Sequence, residues 1–133
     1  MENNVALTHE QEFANQNDAR IAQLKIITER ADKFEALKAD PLFNELITEL
    51  YVKDEALNLV ALIADPASNS VAQQESIRMR LGGISGLQSF IRQYSQSGLT
   101  AKAEIAQLEM INAELANGKS VEDVLAGLQE AQG

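Results

Sequence analysis

No cysteine and no tryptophan occur in the chain, histidine occurs once, and proline occurs twice. Without thiols there can be no disulfide and no thiolate metal site, and a reducing cytoplasm is the expected place of folding. The lone histidine, His9, has no acid or nucleophile at a spacing that would hold it as a general base, so it carries no catalytic expectation. Aromatic residues make up only 5% of the chain. The core must then be built mainly from Leu, Ile, Val and Ala, which favours helices over sheets. No apolar run approaches the roughly 18 residues of a membrane span. The opening Met-Glu-Asn-Asn-Val-Ala-Leu-Thr also lacks the basic start and apolar stretch of a signal peptide. These absences predict a cytoplasmic protein with no membrane partner.

What is present suits one helical domain over residues 1–133, with 45% hydrophobic residues and enough length to bury a single core. The formal charge is −9, which argues against a phosphate-tracking surface and for solubility or a basic partner. The charge is uneven. Residues 66 to 99 hold only Glu75 against Arg78, Arg80 and Arg92, a locally basic belt in an acidic protein.

Along the chain, Thr8 and Gln11 have the spacing of a capping box. A first helix follows with an inward stripe of Ile21, Leu24, Ile27, Ala31, Phe34 and Leu37. Its polar beginning, Asn15-Gln16-Asn17-Asp18, suits either an arm over residues 1 to 18, flexible or extended, or a separate short turn. Asp40-Pro41 is an N-cap followed by proline at the first helical position. In the second helix, Leu42, Phe43, Leu46, Ile47, Leu50 and Tyr51 have ordinary amphipathic spacing. Its end, residues 56 to 64, is apolar at every position except Asn58, which predicts a helix enclosed on all sides. Asp65-Pro66-Ala67-Ser68-Asn69-Ser70 is a turn, with Ser70 capping a third helix that runs to about residue 95 and closes at Gly98. Thr100 would cap a fourth helix with Ile105, Leu108, Ile111 and Leu115 inward, ended by Asn117-Gly118. Ser120 and Asp123 open a short fifth helix facing inward through Val121, Val124, Leu125 and Leu128.

The third helix is the unusual element. Ile77, Leu81, Ile84, Leu87, Ile91 and Tyr94 repeat at helical steps around Gly82, Gly83 and Gly86, although each mid-helix glycine costs about 1 kcal/mol relative to alanine. A phosphate loop would need a strand before the glycines and a Lys-Ser/Thr after them, and has neither. The Gly82-x-x-x-Gly86 spacing instead suits close approach of another helix, either the second helix of the same chain or a neighbouring subunit. On that reading a leucine at either position should disrupt folding or assembly. Arg78, Ser85, Ser89 and Arg92 fall on one polar stripe, a candidate contact surface or a solvated face, with too little basic density and no nearby stacking aromatics for nucleic acid. Arg80 falls inside the apolar arc. It either pairs with Asp54 or Glu55 or reaches an acid of another subunit. Acids such as Glu45 and Glu49 lack the histidine that would make a helical metal site, and no metal or cofactor is expected.

The segment over residues 41 to 94 resembles small helical proteins encoded among the head and tail assembly genes of tailed bacteriophages. The residues concerned are Glu55-Ala-Leu-Asn-Leu-Val, the polar break, and the Ile-Arg-x-x-Leu-Gly-Gly-Ile-x-x-Leu helix of residues 77 to 87. The resemblance implies a virion component or assembly factor that oligomerises or docks on a larger shell, found in the host cytoplasm and then the virion. It supplies no catalytic residue. The expectation is thus an all-α compact bundle of four or five helices around a central antiparallel hairpin of helices two and three. It would be a non-enzymatic structural protein whose partners are itself or other virion proteins, without nucleic acid or a small-molecule substrate. A different class is a small acidic regulator that occupies the basic surface of a host protein.

Overall fold

The computed structural model describes residues 7 to 132, and these are helical nearly throughout, with no strand among them. Helix α1 spans His9–Ala39. The predicted capping box opens it: the Thr8 amide donates to Gln11 Oε1 at 3.0 Å and the Gln11 amide to Thr8 Oγ1 at 3.2 Å. A second helical stretch, α2, joins an α turn (Pro41–Phe43), a π-helical run (Asn44–Glu55) and an α-helical end (Ala56–Ala64). A 3₁₀ turn follows over Pro66–Ser68. Helix α3 covers Val71–Ala116, and α4 covers Val121–Gln132.

Each proline stands behind an aspartate that both breaks and caps. A residue before proline is pushed out of the α region, and Asp40 (ψ 126°) and Asp65 (ψ 122°) are both extended. Asp40 Oδ1 accepts from the Leu42 amide at 2.8 Å, and Asp65 Oδ1 from the Ala67 amide at 3.0 Å. Ser70 caps α3 as expected, taking the Gln73 amide at 3.2 Å. The far end of α3 closes in a Schellman turn: Gly118 takes φ 94°, its amide reaches the Leu115 carbonyl at 3.1 Å, and the Lys119 amide reaches the Glu114 carbonyl at 3.3 Å.

The third and fourth helices of the sequence reading are one. Gly98 stays right-handed and buried inside α3. Glycine stops a helix only where the chain takes the left-handed turn, and Leu99-Thr100-Ala101-Lys102 are followed by no proline or second glycine to force one. The π-helical run is a second departure from the ordinary helix expected. The partly buried apolar positions in and beside it, Phe43, Ile47, Val52 and Ala56, recur at steps of four and five, which suits bonds running i→i+5.

The chain divides into two compact units: residues 1–29 with 98–133, and residues 30–97. In the first, Ile111 and Leu115 of α3 and Val121 and Val124 of α4 form a core against which Phe13, Ala14 and Leu128 pack. Phe13 and Ala14 belong to the segment expected to be an arm or a short turn; from His9 onward it is folded helix, and residues 1 to 6 lie outside the described residues. Asn17, 7% exposed, donates to Asn112 Oδ1 at 2.9 Å, and Asn112 Nδ2 donates to Asp18 at 3.0 Å. Arg20 makes a two-pronged contact with Glu104 at 3.0 and 3.2 Å. That hydrogen bond, and then the carboxylate charge, hold the guanidinium above its ordinary pKa.

In the second unit Leu59 of α2, 1% exposed, meets Ile77 and Ile84 of α3, with Val52, Ala56 and Leu81 packed around them. Phe34 of α1 stacks on Tyr94 at 4.8 Å between ring centroids and meets Phe90 edge-on at 5.7 Å. This aromatic cluster joins α1 to α3.

Candidate interaction surface

Seen from the backbone upward, the glycine-bearing part of α3 has a buried face and a bare one. Ile77 and Ile84 are buried and Leu81 and Leu87 half-buried, as the helical steps predict. Gly82 and Gly86 lie off that face. A Cβ built at either would meet nothing within 4 Å, so the expected tight approach of the second helix at these two positions is corrected. Only Gly83 has a neighbour, with Tyr51 Oη 3.6 Å from where its Cβ would be. The reason is angular: the crossing of α2 is anchored by Leu59 on Ile77 and Ile84, and at about 100° per residue Gly82 and Gly86 point well away from those two. Met79, 78% exposed, and Phe90, 48% exposed, stand beside the bare glycines on the same side of α3.

Arg80 is the residue that the sequence left between two readings. It pairs with Glu55 of α2 within the same chain. The guanidinium sits at the edge of the contact and not inside it, which lets an arginine occupy an otherwise apolar arc. Arg78, Ser85, Ser89 and Arg92 are all exposed, and the stripe that their spacing predicts is free of the core.

The end of α2 differs from expectation. An apolar helix was expected to be enclosed, yet among residues 56 to 64 only Leu59 is buried. Leu57 and Val60 are 61% and 55% exposed, and Leu62 and Ile63 are 38% and 40% exposed. One face of this helix meets α3, and the opposite face is left exposed among the described residues. Hydropathy reported that the segment prefers burial; it could not report that one chain supplies only half of the cover.

Between the π-helical run and α3 lies an open groove of about 670 Å³, with Leu46, Leu50 and Ile84 on its apolar wall and Tyr51, Asp54 and Arg80 on its polar side. A smaller cleft of about 280 Å³ lies between Phe43, Ile47 and Val52 of α2 and Leu87 and Ile91 of α3. Beside it Ser95 donates to Glu35 at 2.7 Å, and Lys38 reaches both residues, at 3.0 Å and 3.3 Å. Neither hollow is legible in the sequence, because each depends on how α2 crosses α3. His9 stands apart from them, exposed and 3.9 Å from Glu122. Among the described residues no three His, Cys, Asp or Glu side chains converge as metal ligands would, and no helix is long and apolar enough to cross a membrane. No family model matches the chain, and comparisons with curated proteins and with solved structures find no match either.

Proposed function

We propose that the protein is a non-enzymatic structural or assembly protein that works through helix-mediated contacts with copies of itself. The observation that carries this reading is the outward apolar face of α2, where Leu57 and Val60 are more than half exposed on the side turned from Leu59. Moving such a side chain out of water is worth about 1.5–3 kcal/mol, and contiguous exposed apolar surface marks interaction sites. The bare ridge of Gly82 and Gly86 beside exposed Met79 offers a second helix a close approach without displacing any side chain. Arg78 and Arg92 in an acidic chain add the means to set register against acids of another copy.

The finer architecture belongs to the same proposal: a central antiparallel hairpin of α2 with the first half of α3, within a compact bundle. The packing of Leu59 on Ile77 and Ile84 and the Arg80–Glu55 pair support it. The virion setting, with docking on a larger assembly, follows from the resemblance over residues 41 to 94. A double substitution, Leu57→Glu with Val60→Glu, tests the reading. Sedimentation velocity should show the wild type associating at micromolar concentration and the variant monomeric, with equal helical circular dichroism. Equal association of the two proteins would remove the α2 face from the account.

A further inference from the structure

The groove of about 670 Å³ falls within the size range of small-molecule sites, and its chemistry is lopsided. Leu46 and Leu50 of the π-helical run face Ile84 of α3 and give it an apolar wall. On the polar side Arg80 is engaged by Glu55, so those two charges cancel. Asp54 lines the same groove and has no ion-pair partner among the described residues, which leaves the site one negative charge in excess. The Tyr51 side chain stands beside it, and Gly83 keeps the space under the tyrosine hydroxyl free of any side chain.

A carboxylate without a cation, an aromatic ring and an aliphatic wall together fit one class of small molecule. We infer that the groove binds an aliphatic ammonium, with the cationic head at Asp54 and Tyr51 and the hydrocarbon chain along Leu46, Leu50 and Ile84. The carboxylate supplies a charge-assisted hydrogen bond, the tyrosine ring attracts a cation over its face, and the apolar wall takes the chain out of water. Neutral and anionic chains of equal length lack the first two contributions. None of Leu57, Val60, Met79, Gly82 and Gly86 lines the groove, so this site and the proposed self-association surface stand or fall separately.

The test is an NMR titration of the full chain with hexylammonium, hexanol and hexanoate, following the methyl groups of Leu46, Leu50 and Ile84. Hexylammonium should shift these methyls and bind at least about tenfold more tightly than hexanol, with hexanoate weaker still. Asp54→Asn, at an exposed position that leaves the core intact, should remove the preference for the ammonium and leave hexanol binding unchanged. Gly83→Leu should fill the groove and abolish both. Equal affinity for hexanol and hexylammonium, an Asp54→Asn variant that keeps the preference, or shifts confined to Leu57, Val60 and Met79 would each overturn the assignment.

Discussion

The glycines show how far a residue's meaning depends on what faces it. Gly82 and Gly86 lie in α3 with nothing near a would-be Cβ, so each costs the helix about 1 kcal/mol relative to alanine and the fold of one chain gains nothing back. Gly82→Ala and Gly86→Ala should therefore each raise the stability of the dilute monomer by about 1 kcal/mol in urea unfolding. Gly118 is the contrary case: at φ 94° a Cβ is strained, and Gly118→Ala should lower stability by about 1–2 kcal/mol. A third residue-scale outcome concerns the buried amide of Asn17. Removing its partner with Asn112→Ala leaves that group unsatisfied, and unfolding should show a loss of about 1–3 kcal/mol. The caps at Thr8, Asp40, Ser70 and Gly118 were legible because each is settled within a few residues of sequence. The roles of Gly82, Gly83 and Gly86 were not, because the sequence does not say which side of α3 the neighbouring helix takes.

At the scale of elements the same distinction holds. The inward stripes of α1, α3 and α4 follow their apolar spacing in part: Ile21, Leu24, Ile77, Ile84, Ile111, Val121 and Val124 are buried, whereas Leu37 and Leu125, expected inward, are 44% and 43% exposed. Boundaries that depend on distant contacts were misplaced. Gly98 has the composition of a stop, yet the helix continues through it and buries it. If α3 is continuous there, Gly98→Pro removes an internal hydrogen bond and should cost about 3 kcal/mol or more in chemical unfolding. A near-neutral effect would restore the break that the sequence suggests. In α2 the i→i+5 winding over Asn44–Glu55 sets the positions that line the groove, and spacing read at an ordinary helical period does not display it.

For the whole molecule, the all-helical class was legible from composition and periodicity, since a chain poor in aromatics and rich in helical stripes has few other ways to bury its apolar residues. The division into two units was not, because one of them joins residues 1–29 to residues 98–133. Pairing of segments so far apart leaves no local trace in the sequence. The proposed function lives at this scale: α2 exposes leucines and valine that one chain does not cover, and a second copy would. An acidic regulator would instead use the charge of −9 and bind a basic surface in a salt-sensitive way, with no need to self-associate. The most direct measurement is the mass of the purified protein by sedimentation equilibrium, at micromolar concentrations and at low and high salt. Self-association through apolar faces should give a mass above the 14.5 kDa chain that rises with concentration and persists at high salt, because apolar contacts are not screened. A single 14.5 kDa species under every condition would contradict it.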